Sequence, residues 1–89
     1  MIETEIEIIN KLGLHARAAA KLVGVTVQFR AKIQLVRGER VIDAKSIMAL
    51  LMLGAGKGSK LRLIIEGDDA EAAHAAVVFL INNRFDEAE

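Results

Sequence analysis

Between Ile2 and Ile8 the chain alternates, with Ile2, Thr4, Ile6 and Ile8 interleaved with Glu3, Glu5 and Glu7. A period of two puts the first set on one face and the glutamates on the other, which predicts a strand with one face on a core and one in water. Asn10 to Leu14, carrying Gly13, breaks the alternation. Ala16 to Phe29 then reads as a helix, alanine-rich in its first half. Its second half reads poorly, because Gly24 has the largest backbone entropy cost and Val25, Thr26 and Val27 are stiff β-branched residues. Either packing holds that stretch helical or the helix ends early.

Lys32 to Val36 and Val41 to Asp43 flank Arg37-Gly38-Glu39-Arg40, a short glycine-containing connection between β-branched runs that predicts a hairpin. Ser46 to Leu53 predicts a short apolar helix and Gly54 to Ser59 a loop. Leu61, Leu63 and Ile65 alternate with Lys60, Arg62 and Glu66 as a fourth strand. In the last helix Ala73, Val77, Leu80 and Ile81 follow the i, i+4, i+7, i+8 stripe. Asp68, with Glu71 three residues on, resembles a capping box at its start. The acidic tail from Asp86 is expected to fray. The order β-α-β-β-α-β-α, with no repeat and no linker, implies an α+β two-layer sandwich with one sheet face open to solvent.

Length makes this a single domain, residues 1–89. A chain so short buries only about 60% of its unfolded surface, and the 53% apolar content supplies the material and excludes intrinsic disorder. The absence of cysteine removes disulfides, thiolate nucleophiles and cysteine-held metals, and points to a reducing, cytoplasmic setting. The two longest apolar runs, 47–53 and 75–81, are far short of the roughly 18 residues that span a bilayer, so neither a signal peptide nor membrane insertion is expected.

Zero net charge hides an asymmetry. Residues 10–62 carry 11 Lys and Arg against two acids, and the two flanking segments carry one Arg against ten acids. The middle of the chain should therefore attract an anion or an acidic partner. Nucleic acid is disfavoured, since three Phe and no Trp or Tyr leave few platforms for base stacking.

His15 lies where the Gly13 loop meets the first helix, with Arg17 two positions on. A helix start offers unpaired N–H groups and partial positive charge, and an adjoining guanidinium can hold phosphate through paired hydrogen bonds. A neutral imidazole beside such donors has what transient phosphorylation on nitrogen requires. On spacing alone, a histidine that merely caps the helix is the favoured reading. His74, among alanines and without a ligand partner at metal spacing, reads as a surface or half-buried residue. Gly54 to Ser59 fails as a P-loop, because Leu51 and Gly58 stand where glycine and Ser or Thr are needed and the order is helix then strand. Neither cofactor nor metal is expected.

Ile47 to Leu53 has no polar side chain, and a small domain cannot surround such a helix, so part of it should be exposed. Met48 and Met52 share a face suited to adaptable contact. Ser46 precedes the run as an N-cap without a capping box, since Ala49 occupies the third position after it.

Two segments, Asn10-Lys11-Leu12-Gly13-Leu14-His15-Ala16-Arg17-Ala18 and Lys45 to Leu53 followed by Ala55-Gly56-Lys57-Gly58, resemble the HPr family, the histidine-containing phosphocarriers of the bacterial phosphoenolpyruvate-dependent phosphotransferase system. The resemblance spans essentially the whole chain. It implies an antiparallel four-stranded sheet with three helices on one face, and a monomeric carrier without independent turnover. It further implies that His15 accepts phosphate on Nδ1 from phospho-Enzyme I and passes it to IIA domains, with Arg17 neutralising the phosphate. Ser46 matches the serine modified by HPr kinase/phosphorylase in many bacteria. Ile47, Met48, Leu51 and Met52 fall where the family docks its partners. Three features depart from the family or blur it. Ala18 replaces the usual proline, Gly24 to Val27 is unusual in the first helix, and the Ser46 to Leu53 run is also similar to the nitrogen-branch paralogue NPr. His15 excludes Crh-like relatives that lack the active histidine. A non-catalytic α+β interaction module is the alternative of a different class.

Overall fold

The structure, a computed structural model, describes residues 1–89. Its elements are β1 (Ile2–Glu7), α1 (Ala16–Thr26), β2 (Lys32–Arg37), β3 (Arg40–Asp43), α2 (Ile47–Leu53), β4 (Lys60–Glu66), α3 (Ala70–Asn82) and a single 3-10 turn (Arg84–Asp86). The four strands form one antiparallel sheet in the order β1-β4-β2-β3. This is the α+β sandwich that the alternation predicted.

Register explains the core. Thr4 pairs with Leu63 and Ile6 with Leu61, while Ile33 pairs with Ile65 and Leu35 with Leu63. Each of these strands therefore turns its apolar set to the same side, where Leu22, Leu50, Val77 and Ile81 close the core. On the other side Glu5 faces Arg62 and Glu7 faces Lys60, a polar surface left in water. In the hairpin only Gly38 of the two central residues has positive φ (+60°), the place where a type II′ turn requires glycine.

Helix α1 stops at Thr26, three residues before the expected end, with Val27 as its C-cap. Gly24 and Val25 are nevertheless helical. What holds them is Thr26, fully buried, whose hydroxyl donates to the Ala44 carbonyl at 2.9 Å and so ties the end of α1 to the chain after β3. Ala18, where the resemblance leads to the expectation of proline, sits within an intact first turn: α1 begins at Ala16 and Ala18 is completely buried.

Two expectations are corrected. The capping box at Asp68 and Glu71 does not form; Asp69 is the N-cap residue of α3 and makes no side-chain cap bond. Its carboxylate instead accepts the N–H groups of Arg30 (2.8 Å) and Ala31 (2.9 Å), donors of a turn that has no strand partner for them. The bond from Arg30, then that from Ala31 and the field of Lys45, hold the Asp69 carboxyl below the usual aspartate range. The second correction concerns the tail, which does not fray from Asp86. Phe85 is fully buried, and it anchors the residues that follow against the first loop and α1.

Because the Asp69 pKa is depressed in the fold, its contribution is complete above the unfolded value of about 3.9 and is lost as pH falls through the lower folded value. Asp69→Asn should therefore lower the denaturation midpoint at neutral pH, with the difference from the parent shrinking as pH falls below the ordinary aspartate range. A difference that stays constant across that range would mean that the charge on Asp69 plays no part.

Candidate functional site

The loop ahead of α1 is shaped by one close approach. Gly13 has φ of +67°, and a Cβ there would lie 2.6 Å from the Ala55 carbonyl oxygen and 2.7 Å from the Gly56 Cα. Only glycine permits backbones to meet so closely. The contact is locked by Leu14 N–H donating to the Ala55 carbonyl at 2.8 Å, with the Leu14 side chain buried. Gly54 to Ser59 is thus a shelf for the first loop, and positive φ at Gly54 (+65°) and Gly58 (+89°) accounts for those two glycines without a nucleotide.

Immediately after this contact His15 takes extended backbone angles and becomes the N-cap of α1; its carbonyl accepts from Ala19 N–H at 2.8 Å. Its Nδ1 accepts the N–H of Arg17 at 3.3 Å, a long and readily exchanged bond. Its Nε2 faces the Glu87 carboxylate. A carboxylate beside one nitrogen and a donor beside the other assign the neutral ring with hydrogen on Nε2 and a lone pair on Nδ1. That lone pair is aimed at the start of α1, where the first N–H groups have no helical acceptor. Arg17 is exposed and makes no ion pair, so its guanidinium is free to meet an anion at the same place.

Nothing in the sequence pattern marked Glu87, and Asn10 stood out only as the first residue of the segment around His15. Asn10 is fully buried; its Nδ2 donates both to the Gly13 carbonyl (2.7 Å) and to Glu87 Oε1 (2.9 Å), leaving its own Oδ1 buried without a partner. An unsatisfied buried acceptor costs about 1–3 kcal/mol. The bond from Asn10, followed by the bond and field of His15 and the field of Arg17, holds the Glu87 carboxyl below the usual glutamate range. The tail is held further by Lys21 Nζ, which donates to the Phe85 carbonyl at 3.1 Å, and by Lys11 N–H, which donates to the Glu89 carbonyl at 2.7 Å. Arg84, Phe85 and Asp86 all have φ between 52° and 63°, a left-handed turn that is unfavourable for side-chain-bearing residues and that the buried Phe85 ring offsets. A polar signal for this docking existed only in composition, as the acids of the tail matched to the lysines of residues 10–21.

Ser46 sits apart from His15, as N-cap of α2, its Oγ accepting the N–H of Ala49 at 3.2 Å. Leu50 and Leu53 turn into the core, while Met48 and Met52 are 68% and 67% exposed and Ile47 and Leu51 are also exposed, so the helix presents an apolar outer face. Arg37 and Arg40 donate to the carbonyls of Leu53 and Met52 at 3.1 and 2.9 Å, capping the C-terminal end of α2 and setting positive charge at its rim. Through the Leu14–Ala55 bond the loop after α2 touches the loop before His15. His74 is remote from this arrangement, half-buried, with Nε2 2.9 Å from the Thr4 hydroxyl.

The family model described as the PTS HPr component phosphorylation site matches residues 2–83. The chain is similar to phosphocarrier protein HPr of Pseudomonas aeruginosa, 57% identical over 86 residues and 96% of each chain. It is similar to phosphocarrier protein NPr of Shewanella violacea, 46% identical over 98% of this chain and 96% of that one. Its fold superposes on the crystal structure of HPr-C-His from Thermoanaerobacter tengcongensis with a TM-score of 0.96 and 43% identity, covering all of both chains.

Two glycines should respond in opposite ways. Gly13→Ala adds a methyl to a backbone contact at positive φ and should destabilise by more than about 1 kcal/mol while displacing the His15 resonances. Gly24→Ala, in α1 with nothing within 4 Å of the new methyl, should stabilise by about 0.5–1 kcal/mol. Chemical denaturation of both variants checks the pair; equal effects would remove the close approach as the reason for Gly13.

Proposed function

The chain belongs to the HPr family of phosphocarriers, and from that premise we propose that it relays a phosphoryl group from phospho-Enzyme I to IIA domains through Nδ1 of His15. The observation that carries the reading is the His15 ring itself, a neutral imidazole whose Nδ1 lone pair points at the N-terminal end of α1 beside an unpaired guanidinium. Phosphoryl transfer needs a nucleophile held in line with the phosphorus and donors for three oxygens whose charge is not cancelled by the base. In this proposal Arg17 and the first N–H groups of α1 take those oxygens, the long bond from Arg17 N–H passing from Nδ1 to phosphate. The chemistry is common to the HPr and NPr branches, so the test addresses the shared step.

Incubated with phosphoenolpyruvate and Enzyme I, the chain should gain one phosphate by intact mass. The phosphoramidate should be acid-labile and alkali-stable, absent in His15→Ala and retained in His74→Ala. Phosphate retained in the His15→Ala protein would refute the carrier reading.

Ile47, Met48, Leu51 and Met52 form the docking surface in this reading, an exposed apolar centre beside Arg37 and Arg40 that suits a partner with an apolar patch and an acidic rim. Ser46 lies at the edge of that surface as a site for a regulatory phosphate. Lys45 does not offer it a counter-charge, for its Nζ donates to the Phe29 carbonyl at 2.7 Å. Met48→Asp should weaken partner binding at least tenfold at any salt by placing a charge in the desolvated centre, and Ser46→Asp should slow phosphoryl acceptance with little change in melting temperature. A Met48→Asp protein that binds normally would remove α2 from the interface.

A further inference from the structure

The tail glutamate is the one charged side chain that touches the His15 ring, and it reaches the ring from 72 residues away in sequence. Its position is overdetermined. Asn10 holds one carboxylate oxygen while the other meets His15 Nε2, the Asn10 amide is turned to do so although its own oxygen is left without a partner, and the buried Phe85 fixes the turn that leads into it. With side-chain exposures of 11% for Glu87 and 26% for His15, water competes weakly for this contact. Glu87 also lies beyond residues 2–83, the span of the family match.

Resting on the carrier reading, we infer that Glu87 is a positioning residue for phosphoryl transfer, keeping the proton on Nε2 of His15 before, during and after the ring carries phosphate. When the Nδ1 lone pair forms the N–P bond and the bond from phosphorus to the donor's leaving nitrogen breaks, the ring becomes an imidazolium that retains its Nε2 hydrogen. The Glu87 carboxylate balances that positive charge in place. On onward transfer the N–P electron pair returns to Nδ1 and the ring leaves as the same neutral Nε2–H tautomer, so no proton moves in either direction. A phosphohistidine that kept its ring charge would be the better donor, because its leaving group is a neutral imidazole. The other charged side chains lining the hollow that Glu87 borders are Arg17, Lys11 and Lys21, which oppose an imidazolium, and Asp86 and Glu89. Lys21 lies 3.7 Å from Asp86 and Lys11 3.4 Å from Glu89, which leaves Glu87 as the carboxylate directed to the ring.

The test uses the full chain, labelled with 15N and phosphorylated with phosphoramidate, a small donor that needs no partner protein. In the parent, ring 15N shifts should report the Nε2–H tautomer before phosphorylation. In the phosphorylated protein, the pH midpoint for loss of the Nε2 proton should lie about one unit higher than in Glu87→Gln, the size expected for one close opposite charge. The pH profile for loss of phosphate, followed by 31P resonance, should move with it. Glu87→Ala should in addition mix the two ring tautomers, and amide spectra of both variants establish that the fold is kept. Superimposable pH profiles in parent and Glu87→Gln, an unchanged tautomer in Glu87→Ala, or a parent His15 that phosphoramidate does not label would each overturn the inference. A parent protein that shows the shift with phosphoramidate but takes no phosphate from Enzyme I would instead overturn the relay and leave the role of Glu87 standing.

Discussion

The site depends on a backbone contact, the approach of Gly13 and Leu14 to Ala55 and Gly56. Side chains could not make it, because a methyl at Gly13 would overlap the Ala55 carbonyl, and the hydrogen bond from Leu14 N–H fills an acceptor that the loop after α2 would otherwise leave open. Fixing this point fixes two others. It sets where α1 begins, and so gives His15 the N-cap geometry that turns Nδ1 toward the helix start. It also ties the loop that carries His15 to the end of α2, so that the His15 ring and the exposed apolar face belong to one surface.

Legibility in the sequence followed the range of the interactions involved. The strands were readable because Ile2 to Glu7 and Lys60 to Glu66 alternate between a core face and a wet one, a pattern set residue by residue. Helix α2 and its Ser46 cap were readable for the same reason, and the excess of apolar side chains over available interior correctly implied exposure of Met48 and Met52. The tail was not readable. Asp86, Glu87 and Glu89 look like a solvated end because what orders them is the buried ring of the neighbouring Phe85 together with Asn10, Lys11 and Lys21, which are each more than 60 residues away. The misplaced helix cap at Asp68 has a similar origin: the choice between Asp68 and Asp69 was decided by two backbone donors at Arg30 and Ala31, which no local pattern announces.

Charge shows the same interplay of local and distant terms. Summed by segment, residues 10–62 form a basic field between acidic ends, yet folding places Asp86, Glu87 and Glu89 back against Lys21, His15 and Lys11. Near the His15 ring the long-range asymmetry is therefore largely neutralised at close range. What survives is specific in position: the Arg17 guanidinium, which makes no ion pair, and the helix start beside it. A broad basic patch would attract anions without orienting them, whereas one free guanidinium beside a set of backbone donors favours an anion at a single place and in a single orientation.

The basic residues around α2 divide by the same reasoning. Arg37 and Arg40 are engaged with the last carbonyls of the helix, yet Arg40 makes this bond from an exposed position, so both the cap and the field reach the surface around Met52. Lys45, adjacent to Ser46 in sequence, is directed away from it by its bond to Phe29 and by the field of Asp69. A negative group added at Ser46 would thus meet the start of a helix but no dedicated cation. Its charge would project largely uncompensated over the apolar face of Met48 and Met52, which in the proposed docking would have to shed water. In the proposed relay, a negative group at Ser46 would therefore act on the approach of a partner and not on the hydrogen bonds of the His15 ring, since Ser46 and His15 share none.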